Sequence, residues 1–436
     1  MTERLFHVML NGGYPKVPYA GDRGSNFIDL PNTHYDRAEG QRILERQLKM
    51  FIDLEEFGFD GGLISEQHNG PIGLVSNPMQ AGAYVAARTK YIKIGAVGPV
   101  MNDYLTPLRL AEEIAALDNL SRGRLVLGLP MGHGMQYHSI GMMNPATARE
   151  RYREGHDLLM KALTSDGPFE WFGKHYQIPY VNLWPKPLQD PHPEIVIFGG
   201  GSLETLDMVA KGRYGYSAVG INAQSAIKAL HDRLRDLTVA EGYQLDPKQI
   251  WASVRVHVAE TDKQARQEME AHELWSQQNF YLSPWQDNFP PAYLSAKSMA
   301  GVLGGGYRSK ATSGQAYEGV IKNRNLIVGS TETVIAGLEE LFADQDPGQI
   351  LLDMLFDSKP EWLSYKSLQL FAEQVLPKLR PGGVPPAQHQ KLPGFESLAE
   401  YGAKLGPDAP PPTIEMDGVR INAATAHIPE LRTPVA

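Results

Sequence analysis

The chain has 436 residues, 42% hydrophobic and 21% charged, with a formal net charge of -9 at pH 7, which supports a core of ample size and argues against a nucleic-acid partner. It contains no cysteine, so disulfides, thiolate nucleophiles and Cys-based zinc or iron–sulfur centres are excluded. No uninterrupted apolar run approaches the roughly 18–20 residues of a spanning helix and no signal peptide is visible, so a cytoplasmic protein without a membrane partner is expected.

Apolar and amphipathic segments alternate along the chain. Residues 4–10 read as a short strand. In 36–58, Ile43, Leu44, Gln47, Leu48, Phe51 and Leu54 lie close to helical spacing and form one apolar face. Residues 60–65 are the second strand. A helix over 77–90 opens on Asn77 with Pro78 at its first position, and one over 106–121 repeats that opening with Thr106 and Pro107. Strands over 91–98 and 123–130 follow these two helices. Next come a helix over 146–163, a strand over 193–200, a helix over 202–213 and a weakly patterned sixth strand over 215–220. A helix over 223–241, a strand over 251–260, a helix over 262–279, an eighth strand over 349–356 and a helix over 362–376 complete the series.

Such alternation predicts parallel strands joined by helical crossovers. Eight units make a (β/α)₈ TIM barrel the expected fold, ahead of an open doubly wound sheet. One barrel over 1–380 is expected, with insertions at about 165–192 and 280–324. The first insertion is rich in aromatics and Pro and suits a hairpin excursion. The Pro-rich extension over 381–436 reads as an extended arm or disordered end rather than a domain.

Barrel chemistry sits at the C-terminal ends of the strands. After the second strand come Glu66, Gln67 and His68, followed by Asn69-Gly70-Pro71. Two readings stand: a polar loop in which Glu66 caps the backbone, or the floor of a site. After the third strand, the small residues of 94–99 either soften the strand end or let a flat ring approach the backbone. The segment 127–141 carries three glycines before Gln136, two histidines and Tyr137. It reads as a flexible loop, with Met131, His133 and Tyr137 toward the barrel mouth. After the fifth strand, a glycine-rich turn enters a helix at Ser202, with Thr205 one turn on. That is an ordinary Ser N-cap or, given the preceding glycines and the extra hydroxyl, an anion site. Residues 325–334 offer a rival phosphate turn. No G-x-G-x-x-G follows the first strand, and no Walker A, H-E-x-x-H or G-x-S-x-G sequence occurs. No metal site is expected.

From residue 4 to about 380, in collinear order, the chain resembles the bacterial luciferase-like flavin-dependent monooxygenases. The stretches GFDGGLISEQH, TPLRLAEE, DNLSRGRLVLGLPMG, LWPKPLQDPHPEIVIFGGGS and NLIVGSTETV carry the likeness. The resemblance implies a (β/α)₈ barrel that binds reduced FMN from a separate NAD(P)H:flavin reductase. It implies that O₂ adds to the flavin to give a C4a-peroxyflavin, which oxygenates a small organic substrate. It also implies cofactor contacts at Glu66, Ala96, Val97, Met131, Gly132, Tyr137, Gly200, Gly201, Ser202 and Thr205. Ala96-Val97 matches the place where the family often has a non-prolyl cis peptide. Luciferases carry a catalytic His where this chain has Gln67, and an amide is no base near neutral pH. Proton handling therefore passes to His68 or His133, with Gln67 kept as a hydrogen-bonding catalytic residue. Met131 stands where luciferases place an Arg, so light emission is not implied. The insertion over 280–324 matches the mobile lid. The tail is expected along a partner subunit of a homodimer or higher homo-oligomer, or over the barrel.

Two alternatives remain open at this point: an F420-dependent oxidoreductase of the same fold, and a non-catalytic flavin-binding relative. The aromatics Tyr14, Tyr137, Trp171, Phe172, Trp184 and Trp285 either line an apolar substrate pocket or simply pack loops.

Overall fold

The computed structural model describes residues 3–17, 30–132, 135–140, 144–218, 223–279, 296, 317–355 and 358–380, together with three short strands of the tail. Contacts divide the chain into two compact units, Met1–Gln390 and Lys391–Ala436.

In the first unit, β1 (Leu5–Met9), β2 (Gly61–Ser65), β3 (Lys93–Val97) and β4 (Leu125–Gly128) pair in sequence order, all parallel. The antiparallel hairpin of β5 (Phe169–Phe172) and β6 (Gln177–Val181) stands outside that sheet. The main sheet resumes with β7 (Glu194–Gly199) and β8 (Gly215–Ala218), then β9 (Ile250–Val258). β10 (Leu326–Gly329) and β11 (Gln349–Asp353) complete it, and β11 pairs β1 to close an eight-stranded parallel barrel.

β10 is the departure from eight units. Arg255 of β9 pairs Asp353 of β11 and Leu326 of β10. β10 therefore takes the C-terminal half of the edge whose N-terminal half pairs β8. Its apolar run is only four residues long and lies within the 325–334 segment, which by sequence reads as a phosphate turn rather than as a strand.

Strand alternation sorts the side chains into two layers. Leu63, Val97, Val126, Val196, Trp251 and Leu351 fill the barrel interior, with Met9 and Phe198 packed on them. The alternate residues, among them Val8, Ile64, Ala96, Leu127, Ile197, Val254 and Leu352, face the helical layer.

The helices begin where capping chemistry puts them. α1 (Arg37–Glu56) opens on Asp36, whose carboxylate accepts from the Glu39 N–H. α2 (Pro78–Ala86) opens on Asn77 and α3 (Pro107–Ser121) on Thr106, both with proline first. Residues 135–140 form a short helix, α4 (Met135–Ile140), where a plain loop was expected. α5 (Pro145–Thr164) repeats the cap-plus-proline start with Asn144. α6 (Leu203–Gly212), α7 (Gln224–Ala240), α8 (Asp262–Asn279), α9 (Tyr317–Lys322), α10 (Thr331–Gln345) and α11 (Glu361–Leu370) follow. After α11 the chain continues as a π-turn over Phe371–Val375. Among the described residues, no helix is long and apolar enough to cross a membrane.

The second unit differs from the expected arm or disordered end. It holds β12 (Thr413–Met416), β13 (Val419–Asn422) and β14 (Thr433–Pro434) in an antiparallel sheet. Asp417-Gly418, between the first two strands, is a sequence that favours a two-residue hairpin.

Candidate active site

The C-terminal end of β2 delivers Glu66, Gln67 and His68 in succession. The Glu66 N–H donates to Val97 O at 2.7 Å, which continues the β2–β3 ladder one residue beyond the strand. Its side chain is buried; Oε2 accepts from the Val100 N–H at 3.1 Å, and Oε1 lies 2.8 Å from His68 Nε2. The same His68 nitrogen lies 3.5 Å from Asp103 Oδ2. Gly98 makes this possible: its φ is +85°, and a Cβ there would sit 2.5 Å from Glu66 Cβ. Gln136 of α4 donates to Glu66 O at 3.2 Å, so the short helix is tied to the same floor.

Glu66, His68 and Asp103 put one donor atom each within 4.8 Å of one another. These atoms are engaged with each other and with the backbone, so the group reads as a hydrogen-bonded cluster. Burial, reinforced by the Glu66 carboxylate, pushes Asp103 up to about 8. Gln67 turns away from the cluster. Its N–H donates to Val75 O at 2.9 Å and its Nε2 to Ser65 Oγ at 2.7 Å. With His68, Tyr35, Leu44 and Leu74, it lines a cavity of about 620 Å³.

Two Ser-x-x-Thr helix starts end barrel strands, and they differ. At α10, Ser330 caps the helix, but Asp262 Oδ1 accepts the Ser330 N–H at 2.7 Å and bonds Thr333. A protein carboxylate already sits in that turn. At α6, Ser202 Oγ accepts from the Thr205 N–H at 3.3 Å and lies 2.9 Å from Thr205 Oγ1. Gly201 has φ +79°, and a Cβ added at Gly200 would meet nothing within 4 Å. Among the described residues, this turn is the open one of the two, which suits a phosphate.

Sequence reading missed a third feature. Arg255 and His257 share the β9 face that carries Trp251, and Asp353 shares the β11 face of Leu351. Arg255 Nη1 lies 2.6 Å from Glu273 Oε2, with both side chains buried. His257 Nε2 lies 2.8 Å from Glu268 Oε2 of α8. Lys359 Nζ donates to Met354 O at 2.8 Å and lies 3.3 Å from His257 Nδ1. Burial pushes Lys359 down to about 7 and His257 down to about 3, and it pushes Asp353 up to about 6. The available signal was the alternation of charged with apolar residues in SVRVHV, on strand ends that should carry chemistry.

The remaining site residues fall as follows. Val97 faces the barrel interior and Ala96 the helical layer. The Ala96–Val97 peptide is not among the cis bonds, which in the described chain are all X-Pro, beginning with Gly98-Pro99. Both residues are paired on both edges, to Ile64 and Leu127 and to Ser65 and Gly128, and this holds them in a regular strand. Met131 is half-buried against the core, Gly132 has φ +85°, and Tyr137 is buried. His133, Trp285 and most of the 280–324 insertion lie outside the described residues.

The hairpin aromatics do not reach the mouth. Trp171 Nε1 donates to Glu154 of α5 at 3.3 Å, and Gln189 Nε2 donates to Leu125 O at the start of β4. Phe172 and Trp184 are 65% and 81% exposed. Tyr14 is buried, and its hydroxyl accepts from the Asp36 N–H at 2.9 Å, a loop-packing role. A second cavity, of about 690 Å³, opens at the opposite, N-terminal face. Strand-start residues such as Leu5, Lys93, Glu194 and Gln349 line it, away from the ends where barrels place chemistry.

Comparison with known proteins agrees with this architecture. The profile of the luciferase-like monooxygenase family matches residues 29–345. Limonene 1,2-monooxygenase from Rhodococcus erythropolis is 26% identical over 280 residues, covering 62% of this chain and 68% of that protein. 4-Hydroxyprotoasukamycin monooxygenase from Streptomyces nodosus subsp. asukaensis is 24% identical over 344 residues, covering 77% and 86%. Among solved structures, the oxygenating constituent of 3,6-diketocamphane monooxygenase from Pseudomonas putida, in complex with FMN, superposes with a TM-score of 0.66 at 19% identity. That match covers 88% of this chain and 100% of the other. With its closed parallel barrel, its polar strand ends and a family match over most of its length, this chain belongs to the luciferase-like monooxygenases.

Proposed function

We propose that this chain is the oxygenase of a two-component system that takes reduced FMN from a separate NAD(P)H:flavin reductase, together with O₂ and a small organic substrate. The observation that carries the reading is the turn at the end of β7, open at Gly200 where an added Cβ would meet nothing within 4 Å, set against the carboxylate-filled turn at Ser330. In this reading the Ser202 and Thr205 hydroxyls and the first N–H groups of α6 hold the phosphate, helped by the helix dipole. Val97 and the backbone of the β3 end border the ring, and Glu66 and His68 face its edge. Bound reduced flavin supplies the two electrons with which dioxygen is activated. The protein's own work is to orient the reactants, exclude water and deliver protons. Gln67 holds the β2 loop through Ser65 and Val75, and as a neutral amide it takes no part in proton transfer.

The test is anaerobic titration of reduced FMN, with reduced F420 in parallel, into wild type, Ser202→Ala and Ser330→Ala. Loss of a charge-assisted hydrogen bond predicts about tenfold weaker FMN binding for Ser202→Ala. Ser330→Ala is expected to bind as wild type. Equal affinity in Ser202→Ala, or tighter binding of F420 than of FMN, would overturn the reading.

A further inference from the structure

We infer that Asp103 is a positioning residue for proton delivery: it shares one proton with Glu66 and hands it to His68, whose Nε2 the two carboxylates hold between them. The inference rests on the monooxygenase reading for its purpose, but its geometry stands independently.

Oxygenation by O₂ leaves one oxygen atom to depart as water, and that departure consumes protons. The side chain at the middle of the strand-end triplet, Gln67, cannot provide them. The neighbouring cluster is built to do so. Glu66 Oε1 and Asp103 Oδ2 lie 2.8 Å and 3.5 Å from the same imidazole nitrogen. Glu66 is kept in place by two backbone N–H contacts, its own to Val97 O and Val100's to its Oε2. Asp103 is kept in place by the turn that follows β3, through its N–H to Val100 O at 2.9 Å.

Two carboxylates this close do not both ionise readily, so one proton is retained between them. Asp103 Oδ1 is buried without a hydrogen-bond partner among the described residues, which a neutral carboxyl tolerates far better than a carboxylate. The raised titration of Asp103 is consistent with this. The step balances simply: the Asp103–Glu66 pair loses one proton, the His68 ring gains it, and the ring passes it to the departing oxygen. The electrons come from the reduced flavin named above.

Other ionisable groups face the cluster. Tyr104, next in the chain, donates to Glu113 of α3 at 2.9 Å, and Arg151 of α5 donates to Tyr104 O at 3.3 Å. Burial, reinforced by the Glu113 carboxylate, pushes Tyr104 further up.

The first experiment needs no cofactor. Histidine-labelled wild type, Asp103→Asn and Asp103→Glu are titrated by NMR, with the His68 ring assigned by His68→Gln. Wild type is expected to show an inflection near pH 8 in the His68 resonances as Asp103 loses its proton. Asp103→Asn should abolish the inflection and Asp103→Glu should retain one. A His68 curve unchanged in Asp103→Asn, or lacking that inflection in wild type, overturns the inference. The second experiment follows reoxidation of bound reduced FMN by O₂ across pH. Asp103→Asn is expected to bind FMN within about twofold of wild type but to lose at least about tenfold in the proton-dependent rate. An unchanged pH profile again overturns it. Failure of FMN to bind wild type would instead reject the function proposed above and leave the NMR result standing.

Discussion

At the scale of single residues, conformation and charge decide most. Gly98 has a left-handed backbone, and a methyl group there would strike Glu66. Gly98→Ala is expected to cost about 1–2 kcal/mol from the backbone alone, and more from displacing Glu66, measured by urea denaturation. Lys359 makes a prediction of opposite character. Its folded-state titration is pushed down to about 7 from the ordinary lysine range, so the folded protein binds fewer protons than the unfolded chain. Stability on its account is full above the ordinary lysine value and is lost as pH falls through about 7. Lys359→Met should flatten the rise in melting temperature between about pH 7 and 10. Asp103 has the reverse sign: its stability contribution is full below the ordinary carboxylate value and is lost as pH rises through about 8. The residue scale is also where the sequence was least legible. Glu66 and His68 could be named because they end a strand. Asp103 could not, because it approaches them only through a turn 35 or more residues away in the chain.

At the scale of elements, strands and helices were legible wherever a cap and a period coincided. Asn77-Pro78 and Thr106-Pro107 each mark a helix start with a side-chain acceptor and a residue that needs no donor, and the structure adds a third such start at Asn144-Pro145, two residues before the expected helix. α4 and β10 were not legible as elements: six and four residues carry too little periodicity, and tertiary neighbours decide their state. The contact between β9 and α8 illustrates what neighbours add. Arg255 and Glu273 form a buried ion pair across it, so Glu273→Ala would leave a buried guanidinium without that partner. A loss of about 3–5 kcal/mol is expected in chemical denaturation, whereas exposed pairs such as Lys211–Asp207 should contribute little.

At the scale of the whole molecule, the family match ends at residue 345 and the first compact unit at Gln390. A chain truncated after Gln390 is expected to keep its barrel. Circular dichroism and thermal melting should match those of the full chain, and a collapse of the melting transition would show that the second unit is needed for folding. By itself the sequence determined the barrel. Eight buried strand patterns separated by capped amphipathic helices have few other ways to bury both faces of a parallel sheet. It also placed Glu66, Gln67 and His68 at the end of a core strand, while leaving open whether they cap the backbone or line a site. Tertiary structure alone decided which groups meet. It put Asp103 beside Glu66 and His68, and Asp262 into one phosphate-like turn but not the other. It also brought Arg255, His257, Asp353 and Lys359 into one buried cluster at the ends of β9 and β11. Local sequence cannot encode those meetings, because each depends on the closure that brings distant strand ends to one rim.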